Sequence, residues 1–387
     1  MRRTIVLGDL HLVRDTPPEV TGDLVRLLDE HRGARVVVAG DLFDLSADFP
    51  RASSERALSA ALASQHAARA AFAEHVDRGG ELWLLGGNHD AAVGEPALRG
   101  ALAEALGLRG DATDRLRTSP WFLRDEHVHF EHGHLYDPDN APAHPLYAEL
   151  RCLGVHFVEE FIAPTGAFRY LNANDDTPLK LFLRAFSWYG VRAPYVIYRY
   201  FHAAIGAMAS SGPFFDAARE IERGRQLEGS FAEEVGLPHE VVAALVGLGE
   251  SPTMSSLGAT FQRVYFDRVL ATISLLGGLG AVATKRYGAA TWALGVGALS
   301  MGISWALGYD RYGGTVPERL ERGAHQVAQT TGAKLVVLGH AHREAHGEIY
   351  ANTGSFSFPR EAPGRPFLEI EGSAAAPRAV RRYWAQR

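Results

Sequence analysis

Five times along this chain a short apolar run stops at a block of glycine and Asp, Asn or His, and this recurrence restricts the fold more than any other feature. Ile5–Leu7 leads into Gly8-Asp9-Leu10-His11, Val36–Ala39 into Gly40-Asp41, and Leu82–Leu85 into Gly86-Gly87-Asn88-His89-Asp90. Val128–Glu131 leads into His132-Gly133-His134, and Lys334–Leu338 into Gly339-His340-Ala341-His342. Ile5–Leu7 has the β-branched composition of a buried strand, and the runs that follow read as strands with it. Between the first two, Leu24, Val25, Leu27 and Leu28 have helical spacing; between the second and third lies an Ala-rich stretch from about Ser53 to His75. The order strand, helix, strand, helix, strand predicts a parallel sheet, and ligands bind beyond the carboxyl ends of such strands.

The pattern lapses after residue 135 and resumes near 321, with further strand-like pieces at Glu348–Ala351 and Phe367–Ile370. A chain of 387 residues exceeds one ordinary compact domain. We therefore read 1–135 and 321–387 as two parts of one α/β core and 136–320 as a large, mainly helical insertion. With 47% hydrophobic and 22% charged residues, the chain has the composition of a globular protein with a sizeable core. A formal net charge of -6 without a long Lys/Arg run argues against a nucleic-acid partner. The single cysteine, Cys152, excludes an internal disulfide and suits a reducing compartment. The run Ile5–Leu7 is too short for a signal-peptide core, so the expected location is cytoplasmic, at or near the inner face of the cell membrane. The sequence specifies no oligomeric state.

The polar residues at the strand ends suit a pair of divalent cations. Two such ions clamp a phosphoryl group, acidify a water into a nucleophile and stabilise developing charge. Asp9 and His11 lie two apart at a strand end, so the chain must turn there for both to reach one ion, and Gly8 and Gly40 ease such turns. Asp41 offers two carboxylate oxygens and is the natural bridge. Asn88 offers a carbonyl oxygen, and His132, His340 and His342 offer imidazole nitrogens, which suit Mn, Fe, Zn or Ni better than Ca, with Mn favoured. His134 is a second candidate in its block, whereas His127 and His129 read as packing or surface groups. Glycine clusters such as Gly277-Gly278 lack a following Lys-Ser/Thr, so no nucleotide P-loop is expected.

The blocks Gly8-Asp9-Leu10-His11, Gly40-Asp41-Leu42-Phe43-Asp44, Gly87-Asn88-His89-Asp90, His132-Gly133-His134 and Gly339-His340-Ala341-His342 together resemble the calcineurin-like metallophosphoesterase superfamily. The resemblance implies a four-layer α/β/β/α sandwich carrying the helical insertion. It implies one metal on Asp9, His11, Asp41 and His342 and a second on Asp41, Asn88, His132 and His340. His89 would act beside the scissile phosphate, oriented by Asp44 or, in competition, by Asp90. Asn88 and Arg343 would contact the substrate. Within the superfamily, Asp9-Leu10-His11-Leu12, Gly40-Asp41-Leu42-Phe43 and the helical insertion most resemble UDP-2,3-diacylglucosamine hydrolases, which commonly carry Arg at the position of His89.

Val269–Thr284 and Gly288–Gly308 contain no charged residue and flank Lys285-Arg286-Tyr287, which makes 269–308 a candidate membrane hairpin. Upstream, Trp188, Tyr189, Tyr195, Tyr198, Tyr200 and Phe201 interleave with Arg192 and Arg199, a composition suited to a lipid interface. The expected function is hydrolysis of a phosphoester or pyrophosphate in a lipid-linked or nucleotide-linked substrate. Two alternatives stand beside it: a soluble phosphodiesterase or nuclease with a protein-contact cap, and a membrane scaffold with a vestigial metal site.

Overall fold

The computed structural model describes residues 2–147, 152–172, 178–307, 315–360 and 364–384. Two compact units share the chain: Met1–Pro164, Ala217–Pro252 and Val316–Arg387 form the first, Thr165–Asp216 and Thr253–Thr315 the second.

The first unit contains two sheets. The strands are β1 (Thr4–Leu7), β2 (Arg35–Val38), β3 (Glu81–Leu85), β4 (Leu116–Ser119), β5 (Phe122–Asp125), β6 (Val128–Glu131), β7 (Leu335–Leu338), β8 (Glu344–His346), β9 (Tyr350–Thr353), β10 (Arg365–Ser373) and β11 (Ala376–Trp384). One sheet has the order β11-β10-β1-β2-β3-β4, and the other β5-β6-β7-β9-β8. β1 to β4 run parallel, as do β6, β7 and β9, while the outer strands β10, β11, β5 and β8 pair antiparallel.

Four layers follow from side-chain alternation in strands buried on both faces. Val6, Val37, Trp83 and Leu85 point one way and join Leu123, Phe130, Leu335, Val337 and Ala351 in the layer between the sheets. Ile5, Leu7, Val36, Val38, Leu82 and Leu84 point the other way, against the helices Pro18–Glu30, Ser54–Ser64, His66–Asp77 and Pro96–Leu106. On the far face of the second sheet, Val336 and Leu338 meet Phe231, Val242, Leu245, Leu320 and Val327 from Ala217–Val235, His239–Val246 and Val316–Thr331. The fold is the expected α/β/β/α sandwich.

Two expectations need revision in detail. The Ala-rich stretch is two helices that break at Gln65, whose side-chain amide donates to the carbonyls of Val13 and Arg14 (3.0 and 3.1 Å) and ties the break to the loop after β1. The 136–320 insertion is not one body: 136–164 and Ala217–Pro252 belong to the first unit, because Phe231, Val242 and Leu245 complete the core beneath its second sheet.

The second unit contains the helices Pro178–Tyr189, Ala193–Ala209, Leu257–Arg263, Phe266–Ala283 and Tyr287–Ala306. The last two form a tightly packed hairpin. Gly308, the final residue of the expected apolar hairpin, lies outside the described residues.

Candidate active site

Among the described residues, eight that are not glycine have positive φ, and five of them are Asp9 (53°), His11 (46°), Asp41 (50°), His340 (68°) and His342 (48°). A side chain in the left-handed region costs energy that the surroundings must offset, and such strain concentrates where side chains are aimed for function. All five follow the carboxyl ends of β1, β2 or β7. The turn after β2 opens with Gly40 at φ 82°; at Gly8 the constraint is space, since a Cβ there would overlap Thr353 Oγ1.

The turns bring one group of ligand atoms together. His342 Nε2 lies 3.1 Å from Asp9 Oδ1 and 3.1 Å from His11 Nε2. His11 Nε2 is itself 4.0 Å from Asp9 Oδ1 and 3.9 Å from Asp41 Oδ2. Asp9, His11 and Asp41 are buried, and Asp9 Oδ1 and His11 Nδ1 have no hydrogen-bond partner. A buried carboxylate oxygen left without a donor costs roughly 1–3 kcal/mol or more. Two imidazole nitrogens facing each other beside two carboxylates form a donor set that a divalent cation satisfies, whereas hydrogen bonding leaves atoms unmet.

A second group adjoins it. His132 Nε2 lies 3.2 Å from Asp41 Oδ2 and 3.1 Å from Asn88 Oδ1, while its Nδ1 faces the Ala39 carbonyl at 2.8 Å. That carbonyl can only accept, so Nδ1 carries a proton, which leaves Nε2 as the nitrogen that would ligate a metal. The His340 ring packs edge-on to His132 with centroids 5.1 Å apart, and its backbone N–H donates to Asp9 Oδ2 at 3.1 Å. Asp41 lies between the groups. Three sets among these residues hold their ligand atoms close enough for an ion: Asp9, His11 and His342; Asp9, Asp41 and His132; His11, Asp41 and His89. The residues fit a dinuclear centre.

His89 borders both groups. Its Nδ1 is 2.9 Å from Asp44 Oδ1 and 3.0 Å from Ser46 Oγ, and Ser46 Oγ donates to Asp44 Oδ1 at 2.8 Å. Burial alone would lower the His89 pKa, but the Asp44 and Asp41 carboxylates outweigh it and hold it up at about 10. Of the two carboxylates expected to orient this ring, Asp44 is the one in contact. Asp90 instead accepts from the backbone N–H groups of Asp41 (3.1 Å), Gly87 (2.8 Å) and Phe43 (3.0 Å), so it staples the loop after β3 to the loop after β2. Burial and the Asp41 charge push the Asp90 pKa up to about 7.

The structure thus gathers Asp9, His11, Asp41, Asn88, His89, His132, His340 and His342 in one place, with Arg343 exposed on the residue after His342. His134 is buried beside His132 and His340, with ring centroids 5.4 and 6.4 Å away. His129 is a packing residue, hydrogen-bonded to Glu131 at 3.1 Å, and His127 is exposed. Several contributors carried no usable signal in the sequence. Asp137 Oδ2 holds His340 Nε2 at 3.0 Å, and Asn140 receives the Asn88 amide at 3.2 Å and donates to Asp137 at 2.7 Å. Asp137-Pro138-Asp139-Asn140 reads as an ordinary turn. Phe358 stacks on the His342 ring, 6.1 Å between centroids, and Ser355 Oγ donates to the Asp9 carbonyl at 2.8 Å.

The family model described as calcineurin-like phosphoesterase matches residues 2–203. The match takes in the blocks from Asp9 to His134 and ends before Gly339-His340-Ala341-His342, which the fold itself returns to Asp9. No curated protein shows significant similarity to the chain.

Proposed function

We propose, on the premise that the chain belongs to the calcineurin-like phosphoesterase family, a specific division of labour at this site for metal-dependent phosphoester hydrolysis. The observation that carries it is the meeting of His342 with Asp9 at 3.1 Å across 333 positions of sequence. Asp9, His11, Asp41 and His342 would hold one divalent cation, and Asp41, Asn88, His132 and His340 would hold the other. When bound, the cations supply Lewis acidity at the phosphoryl group and lower the pKa of water there. Manganese is the proposed metal, since the set mixes carboxylate, amide oxygen and imidazole.

The remaining steps belong to side chains of this chain. Asp44 and Ser46 occupy Nδ1 of His89, so Nε2 is the nitrogen that serves the substrate. The charged ring gives its Nε2 proton to the departing oxygen, and Asp44 stabilises the imidazolium until then. Asp90 keeps the two loops in register. Arg343 presents a planar fork of donors suited to phosphate.

For the substrate we favour a lipid-linked phosphoester or pyrophosphate, similar in kind to the substrates of UDP-2,3-diacylglucosamine hydrolases, met at the cytoplasmic face of a membrane. The strongly apolar surface of the second unit supports this choice. Hydrolysis of bis-p-nitrophenyl phosphate with added manganese tests the centre without reference to the natural substrate. Asp41→Ala and His342→Ala should each remove several kcal/mol of stabilisation, roughly 10³-fold or more in rate. Unchanged rates in both would refute the assignment.

A further inference from the structure

We propose that the second unit is embedded in an anionic lipid bilayer, with Phe266–Ala283 and Tyr287–Ala306 crossing the hydrocarbon core as a self-sealed hairpin. This deepens the membrane-linked reading above, yet it stands on the surface of the second unit and not on the chemistry of the site.

The first observation is where apolar surface lies. Among the described residues, twenty-five large hydrophobic side chains are exposed, and twenty-two of them belong to the second unit. Twelve are on the hairpin and its end, among them Leu270 (56%), Leu276 (63%), Trp292 (76%), Leu299 (66%) and Trp305 (77%). A core helix of a soluble protein is mostly buried, whereas only 11% and 17% of the most apolar windows of these two helices are buried. Nor is the exposure one-sided. Leu270, Ile273, Leu276, Leu279 and Val282 follow one another at intervals of three. Each interval turns back about 60° on a helix of 3.6 residues per turn, so the five sweep about two-thirds of the circumference. A helix apolar nearly all round needs an apolar surrounding, not one groove.

The second observation is that the helices already satisfy each other. The buried positions are Ala271 and Gly278 on one helix and Ala290, Gly297 and Ser304 on the other, in steps of seven. A Cβ at Gly278 would come within 2.7 Å of Leu294 Cγ, and one at Gly297 within 2.8 Å of Leu275 Cγ. Small residues on the seam bring the backbones together, the means by which helices associate without help from water. Four polar side chains find partners within the hairpin: Ser274 Oγ donates across the seam to the Ala293 carbonyl (2.8 Å), Arg268 Nε to Ser304 Oγ (3.0 Å), and Thr272 and Thr291 to carbonyls one turn back (2.7 and 3.0 Å). That is the condition hydrocarbon imposes.

Length and charge select a bilayer over a protein partner. Helices of 18 and 20 residues span about 27 and 30 Å, close to the roughly 30 Å of a hydrocarbon core. Lys285 and Arg286, both exposed in the turn, then reach headgroup phosphates, with Tyr287 and Trp305 near the two interfaces. The second unit holds ten Lys and Arg against five Asp and no Glu, although the whole chain carries a net charge of -6. The excess of basic residues complements anionic lipid, which the rest of the chain repels.

Full-length protein, purified in detergent and reconstituted with phosphatidylcholine vesicles with or without phosphatidylglycerol, provides the test. Flotation with both vesicle types that survives concentrated salt and an alkaline wash is the expected result, with faster capture by the anionic vesicles. Brominated acyl chains should quench a part of the tryptophan emission that Trp292→Phe removes. Release by salt, stable monodisperse protein without detergent, or a tightly held protein covering the hairpin in the soluble fraction would each overturn the proposal. A double variant, Leu276→Lys with Leu299→Lys, changes only exposed outward positions. It should leave the vesicles while hydrolysing bis-p-nitrophenyl phosphate at the wild-type rate, and continued flotation would count against the hairpin. Loss of hydrolysis in wild-type vesicles that still float would instead bear on the catalytic reading.

Discussion

In the proposed mechanism, the nitrogen of His89 that carries the working proton is set by two neighbours, since Asp44 Oδ1 and Ser46 Oγ both lie within 3.0 Å of Nδ1. That reading leaves Nε2 for the substrate and gives a prediction that separates proton donation from simple charge stabilisation. Asp44→Asn and His89→Ala should slow hydrolysis of an alkyl phosphodiester by about 10²–10⁴-fold, because a basic alkoxide needs a proton to depart. The same variants should slow the bis-p-nitrophenyl ester much less, as p-nitrophenolate leaves unaided. Rates across a series of leaving groups of rising basicity would show a steeper dependence in the variants than in the wild type. Equal losses at every leaving group would mean that His89 binds a non-bridging oxygen and transfers no proton. Asp44 could be named from the sequence because its block recurs in a known pattern. Ser46 could not, since a serine two residues on is commonplace in turns and only the fold shows it against the ring.

Elements position the site through bonds that no linear pattern displays. Asp90 accepts three backbone N–H groups from two loops and touches no imidazole, so its removal should act on the centre at one remove. Asp90→Ala leaves three buried donors unmet, and we expect a fall of about 10–100-fold in manganese affinity with little change in rate at saturating metal. Titration of activity against manganese would check this, and a lowered rate at saturation with unchanged affinity would contradict it. Asp137 offers a parallel case on the other side, holding His340 Nε2 at 3.0 Å. Asp137→Asn keeps the shape but replaces an anionic acceptor with a neutral one, so a weakening of manganese affinity toward the lower end of that range is expected, read by the same titration. Strands β1, β2, β3 and β7 were legible because burial on both faces demands continuous apolar runs, whereas β6, Val128-His129-Phe130-Glu131, was found through the His132-Gly133-His134 block that follows it. β4, β8 and β11 were not: Leu116-Arg117-Thr118-Ser119 is half polar, Glu344-Ala345-His346 is three residues long, and β11 carries Arg378, Arg381 and Arg382 at a sheet edge. Edge strands carry a weak pattern for the same reason that they need one face only.

At the scale of the molecule, each proposed cation draws ligands from both sheets. Asp9, His11, Asp41 and Asn88 follow strands of the six-stranded sheet, while His132, His340 and His342 follow strands of the five-stranded one. The sequence disclosed this union through motif order, but it hid the contribution of Ala217–Pro252 to the first unit. Phe231, Val242 and Leu245 pack under strands about a hundred residues away on either side, and amphipathic helices do not announce their partners. Because the centre joins the two sheets only in the folded state, metal binding must stabilise the fold. At free manganese one hundred times its dissociation constant, linkage contributes about 2.7 kcal/mol. For a unit of about 270 residues, that corresponds to a rise of about 5 °C in the unfolding midpoint. Two units need not melt together, so the signal should be followed on the first unit, by exchange of the amides of β1 and β7 during a thermal ramp in detergent. The shift should appear on adding manganese, reverse with chelator, and vanish in Asp41→Ala, the one variant that strips a ligand from both ions. A wild-type midpoint indifferent to manganese would mean that the seven side chains meet for some purpose other than holding metal.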